Sequence, residues 1–209
     1  AVDRYLDFPR YLGAEIHDVK FILPLTDKTK ADAKRLLDQH HLSEKNYIAV
    51  NPIAYWETKL WDNAKFANLA DQIKEGLKLD VIFTGNNGRD AADILSRMTK
   101  EGMNLGGETS LPVLAEIYKS ARAVITTDSG PMHLAAAVGT PVIALFGPTD
   151  PARTGPYGKG HTVIRANLPC SPCLLKKCPT KKCMEEITPE QVYAVLENQV
   201  RENSSLLFP

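Results

Sequence analysis

Six consecutive residues, Asp128-Ser129-Gly130-Pro131-Met132-His133, hold the densest chemistry in the chain. They separate an apolar run, 121–127, from an alanine-rich segment that ends at Gly139. The pattern predicts a strand, a turn and a helix starting at Pro131, because proline fits a first helical turn and has no N–H to lose there. The free N–H groups at such a start carry partial positive charge and suit an anion such as a diphosphate. Gly130 puts no side chain in the way. His133, one turn in, can donate a hydrogen bond to a phosphate oxygen, worth about 1.5–3 kcal/mol when one partner is charged; its other reading is structural. Asp128 and Ser129 also have two readings, as helix caps or as ligand contacts. A carboxylate sits badly beside an anion, so Asp128 is expected to meet sugar hydroxyls or to steady His133 and the turn.

The cysteines form the second cluster. Cys170, Cys173, Cys178 and Cys183 are spaced C-x2-C-x4-C-x4-C, with Lys176, Lys177, Lys181 and Lys182 among them. Four thiolates at short intervals can close a zinc tetrahedron, but only the first pair has the close knuckle spacing. Reduced thiols, or disulfides formed on purification, are the favoured reading, with zinc as the alternative. The lysines read either as a solvated loop or as a patch that leans on an anionic membrane surface.

The elements that must position these residues alternate along the chain. Segments 45–52, 79–85, 103–107, 121–127, 141–147 and 161–166 read as strands. Segments 28–42, 61–76, 88–100, 110–121, 131–139 and 188–202 read as helices, with Asp62, Ser110 and Thr188 as caps and Gly76 as a stop. Strands apolar throughout, separated by amphipathic helices, predict a Rossmann-like doubly wound, mostly parallel α/β sheet. In such a sheet ligands bind beyond the carboxyl ends of the strands, so the loops after Pro52, Gly85, Gly107, Asp128 and Gly147 are expected to share one rim. The loop 147–160 draws seven of its fourteen residues from Gly and Pro, which predicts a stiff wall of the site or a plain connector.

Composition sets the outer limits. The chain has 209 residues, 25 basic and 25 acidic, so a nucleic-acid binder that depends on basic excess is disfavoured. No apolar run reaches the roughly 18 residues of a membrane span, and the start lacks signal-peptide order; a soluble, cytosolic protein is expected. Neither G-x-G-x-x-G nor G-x-x-x-x-G-K-[ST] occurs, which removes the usual dinucleotide and P-loop readings. The chain opens without Met on a helical pattern that has nothing before it to pack against, so a processed or tagged protein and a missing preceding segment are both open.

Residues 128–158, with "NPIAYWETKLWDNAKFANLADQI" (51–73) and the cysteine-bearing tail, resemble glycosyltransferase family 9, the bacterial heptosyltransferases of the lipopolysaccharide inner core. The resemblance covers about residues 45–200. It implies a GT-B enzyme of two Rossmann-like domains, of which this chain matches the C-terminal, donor-binding one: 1–44 as connecting segment and leading helix, 45–209 as the donor domain, and the N-terminal acceptor domain absent. It implies a nucleotide-sugar donor, expected to be ADP-heptose, a lipid-linked oligosaccharide acceptor, inversion at the sugar, no metal cofactor, and a general-base Asp in the absent half. This piece alone is therefore expected to bind donor without transferring sugar. A non-catalytic nucleotide-sugar module and a zinc-dependent interaction protein are the competing readings. Carried over by position, Lys59 neutralises the donor diphosphate, and Asp128, Ser129, Gly130 and His133 contact the donor. Thr109 lines the base, and Asn86 or Asn87 stands where relatives place a ribose-binding carboxylate. Lys59 and His133 are the groups expected to stabilise the leaving group.

Overall fold

A computed structural model describes residues 2–205, with side chains to residue 202. Its sheet contains β1 (Tyr47–Asn51), β2 (Asp80–Phe83), β3 (Met103–Asn104), β4 (Ala123–Thr127), β5 (Val142–Phe146) and β6 (Thr162–Arg165). Every pairing is parallel, in the order β3-β2-β1-β4-β5-β6. The helices are α1 (Val2–Tyr11), α2 (Asp27–Gln39), α3 (Asn63–Gln72), α4 (Arg89–Arg97), α5 (Leu111–Ser120), α6 (Gly130–Ala137), α7 (Pro151–Thr154), α8 (Lys182–Glu185) and α9 (Pro189–Ser205).

Alternation along the strands sorts the core into two layers. Ile48, Val50, Ile125 and Leu145 face one side, where α3, α4, α8 and α9 pack through Phe66, Ile94, Met184 and Leu196. Tyr47, Ala49, Val124 and Phe146 face the other, where α2, α5 and α6 pack through Leu36, Ile117 and Met132. The expected doubly wound fold is present, with both faces covered. That coverage is why β1, β4 and β5 are buried at every position.

Several expected details differ. Helix α2, in the segment read as connecting segment and leading helix, buries Ala33, Leu36 and Leu37 in the second layer. Gly76 is not the stop of α3: the helix ends at Gln72, a π turn spans Ile73–Leu77, and Lys78 takes the left-handed cap at φ 56°. Gly76 serves packing instead, since a Cβ there would lie 2.0 Å from Tyr193 Oη. Asp62 and Thr188 cap as expected, through Ala64 N–H at 2.6 Å and Gln191 N–H at 3.3 Å. Ser110 occupies the cap position of α5, but no backbone N–H donates to its hydroxyl. Helices α7 and α8 lie in segments read as loop. Asp150 caps α7 through Ala152 N–H, and α8 turns Cys183 and Met184 into the core.

Candidate functional site

Parallel strands put all their carboxyl ends on one edge, so the expected rim exists. The winding reverses between β1 and β4, and the loops there part to leave a crevice. Asn51 ends β1 and is buried; its amide donates to Thr84 O and Thr84 Oγ1, both at 3.4 Å. Thr84 Oγ1 also lies 2.8 Å from Tyr118 Oη. Desolvation raises the Tyr118 pKa far above the usual phenol range, so Tyr118 stays a neutral partner beneath the rim. Thr127 Oγ1 donates to Ile53 O at 3.0 Å and ties the two central loops together.

The start of α6 faces this crevice without a side-chain cap. Ser129 holds the N-cap position in extended geometry, but its hydroxyl turns back to Thr127 O and Thr126 Oγ1, each at 3.3 Å. The capping reading of Ser129 therefore does not describe its hydroxyl. A Cβ built on Gly130 would meet nothing within 4 Å, and its φ is not in the left-handed region. Neither internal packing nor backbone strain demands a glycine there.

Lys59 reaches the same place from the other loop. It ends a 3₁₀ turn, Glu57–Lys59, which Trp61 anchors by burying its ring against Phe66 and donating Nε1–H to Ile187 O at 3.0 Å. Lys59 Nζ lies 2.6 Å from Asp128 Oδ2 and 4.6 Å from the Trp56 ring centroid. Thr149 Oγ1 donates to the same Asp128 oxygen at 2.6 Å. The two charged side chains are 15% and 5% exposed. A carboxylate so buried must be paired, and here its partners are the Lys59 ammonium and a hydroxyl from the loop after β5. Asp128 thus steadies Lys59, a third role beside the two expected for it. Thr149 also gives the Gly- and Pro-rich loop its hold on the site.

His133 stands one turn into α6. Partial desolvation of its ring holds its pKa below the ordinary 6.5; Asp128 opposes that shift and Lys59 adds to it. The imidazole is therefore neutral at pH 7, with one N–H to donate.

Beside the α6 start lies a cleft of about 350 Å³. Ile53, Ala54 and Tyr55 form one wall, and Thr109, Leu111 and Leu114 the other. Tyr55 is 96% exposed and Leu111 71%, so two apolar side chains flank an open slot that suits a flat ring. Thr109 is among the residues that line it. Of the two asparagines, Asn86 lines the cleft, whereas Asn87 Oδ1 accepts from Arg89 N–H at 3.1 Å and shapes the turn before α4.

The four cysteines are free. Among the described residues, no three His, Cys, Asp or Glu side chains are grouped to hold a metal ion, so the zinc alternative finds no ligand set. Cys183 is a core residue whose burial raises its thiol pKa. Cys178 has its pKa lowered by the Lys181 and Thr180 N–H groups. No helix among the described residues is long and apolar enough to cross a membrane.

Asn51, Trp56 and Thr149 were missed from sequence. A buried-strand reading hides Asn51. Thr149 carried a usable signal: it is the hydroxyl residue between Pro148 and the Asp150-Pro151 helix start.

Comparison with known proteins completes the description. The family model for glycosyltransferase family 9 (heptosyltransferase) matches residues 1–184. Lipooligosaccharide heptosyltransferase 2 of Campylobacter jejuni is 31% identical over 170 residues, 78% of this chain and 53% of that protein. Among solved structures, a family 9 glycosyl transferase from Veillonella parvula superposes with a TM-score of 0.84 at 24% identity, covering 96% of this chain and 60% of that one. The E. coli ADP-heptose LPS heptosyltransferase II superposes at 0.70 with 28% identity, covering 87% and 54%. The chain spans about half the length of the curated relatives it matches.

Proposed function

The chain belongs to glycosyltransferase family 9, and from that premise we propose that it is the donor-binding half of a GT-B heptosyltransferase whose other half holds the acceptor. The observation that carries this reading is the meeting of Lys59, paired to Asp128 at 2.6 Å, with the uncapped start of α6 at the point where the sheet reverses its winding. A nucleoside diphosphate fits that arrangement: the diphosphate lies across Lys59 and the α6 N–H groups, and the base enters the slot between Tyr55 and Leu111. The E. coli relative is named for ADP-heptose, which favours that donor.

The chemistry follows from these groups. A base in the acceptor half removes a proton from an acceptor hydroxyl. The oxygen attacks the anomeric carbon in line and inverts it as the bond to the diphosphate oxygen breaks. Negative charge grows on the departing diphosphate. Lys59, the His133 N–H and the amides at Gly130 are in place to meet that charge, and in this reading they do the work that a divalent metal does in other sugar transferases. The lipid-linked acceptor would bring the enzyme to the inner membrane surface, where Leu174, Leu175 and the lysines beside them provide an exposed apolar and cationic contact. Vesicle binding that falls with salt supports that contact, and salt-insensitive binding contradicts it.

Titration calorimetry of this chain with ADP, UDP and GDP tests the donor reading. ADP is expected to bind most tightly. Failure of all three to bind would refute the reading.

A further inference from the structure

The segment that carries the cysteines folds back onto the rim, and its braces land next to site residues. Thr58 Oγ1 donates to Leu175 O at 2.7 Å. The Cys173 and Leu174 N–H groups both donate to Pro148 O, at 3.1 and 2.9 Å, and Ser171 Oγ donates to Gly147 O at 2.7 Å. Thr58 precedes Lys59, and Pro148 precedes Thr149. The chain therefore passes the Lys59–Asp128 pair at a fixed height, and Lys176 comes to rest with Nζ 5.4 Å from the centroid of the Trp56 ring. That ring already carries Lys59 Nζ at 4.6 Å.

Two ammonium groups on one indole repel each other. The ring attracts both, but for the exposed Lys176 that attraction is small. An anion near both would offset that repulsion. Lys59 has Asp128; among the described residues no carboxylate pairs with Lys176. A diphosphate approaching Lys59 and Asp128 meets a pair whose charges cancel, and His133 nearby is neutral at pH 7. Beside the α6 start, Lys176 adds a full positive charge that no carboxylate among the described residues offsets.

We propose that Lys176 is a second contact for the diphosphate of a nucleoside diphosphate or nucleotide sugar, acting with Lys59 from the Trp56 platform, and that the cysteine-bearing segment is braced on the rim to deliver it. The proposal rests on Lys59 being a diphosphate contact. It also gives that segment a use that needs no metal: buried Cys183 pins its far end to the core, and the backbone bonds at Pro148 pin its middle.

The test is titration of this chain with ADP at low and at moderate salt. Lys176→Ala should raise the Kd for ADP about tenfold, the loss of one charged contact, and should flatten the salt dependence. Lys176→Arg should restore both. Lys177→Ala, which removes the neighbouring exposed lysine, should match the parent. Lys176 is exposed, so thermal melting should not change. If Lys176→Ala binds ADP as tightly as the parent while Lys59→Gln binds it weakly, the proposal is overturned and the donor reading stands. If the parent binds none of ADP, UDP and GDP, both fall.

Discussion

The corner at Lys59 and Asp128 and the slot between Tyr55 and Leu111 share one rim and are built in opposite ways. In the corner every charged or polar group has a named partner at 2.6 Å and little contact with solvent. In the slot the walls are mostly apolar, and the two side chains at its mouth, Tyr55 and Leu111, are exposed. A diphosphate is the same in every nucleotide, and a fixed set of charges can read it once. The base varies among nucleotides, and an open slot can change its lining without unsettling the fold. The corner should therefore govern stability and leaving-group chemistry, and the slot the choice of base.

The largest expected effect is on folding. Asp128→Ala leaves a mostly buried ammonium and the Thr149 hydroxyl unpartnered, and should cost about 3–5 kcal/mol in denaturant unfolding. Combining it with Lys59→Met should recover most of that loss, because an apolar pair replaces an ion pair. A single variant as stable as the parent would show that the corner is not built on this pairing.

Next comes Gly130→Ala. The added methyl meets no protein atom within 4 Å, so melting should be unchanged or slightly raised, while ADP affinity drops about tenfold as the methyl occupies the ligand's approach. Unchanged affinity would remove the α6 start from the site.

His133 gives a smaller effect that depends on pH. Its pKa lies below 6.5 in the free protein, so protonation disfavours the folded state, and stability is lost as pH falls from 6.5 toward the folded value. A bound diphosphate favours the protonated ring, so affinity for a nucleotide sugar, whose phosphates do not titrate here, should rise severalfold between pH 7.5 and 6. His133→Gln should abolish that rise. A rise that persists belongs to another group.

The smallest effect belongs to the slot. Leu111 is so exposed that Leu111→Ala should change stability by no more than about 0.5 kcal/mol. It should still narrow the preference for ADP over UDP in the calorimetric panel, and an unchanged preference would move the base elsewhere.

The fold was largely legible because fully apolar strands such as 141–147 and helices with a visible cap, such as Asp62 or Thr188, advertise themselves locally. The stop of α3 was not, because Gly76 serves close packing against Tyr193 while Lys78 takes the left-handed position. Within the site, the turn at 128–133 was legible as a ligand-ready helix start. The partner of Asp128 was not, because the pairing joins loops that follow different strands and appears only once the sheet order is fixed. The burial of Cys183 was not legible either: by spacing it is the last of four clustered thiols, yet α8 turns it into the core as a small apolar residue.

The central claim is that Lys59 meets the charge of the departing diphosphate, and turnover of Lys59→Gln in the complete transferase at saturating donor tests it most directly. Glutamine keeps a hydrogen bond within reach of Asp128, so the loss of stability should be smaller than for Asp128→Ala, and melting verifies that the variant is folded at the assay temperature. Turnover is expected to fall about a hundredfold or more, as loss of a preorganised charge contact commonly does. Turnover equal to the parent's, in a variant that is folded at the assay temperature, would contradict the account.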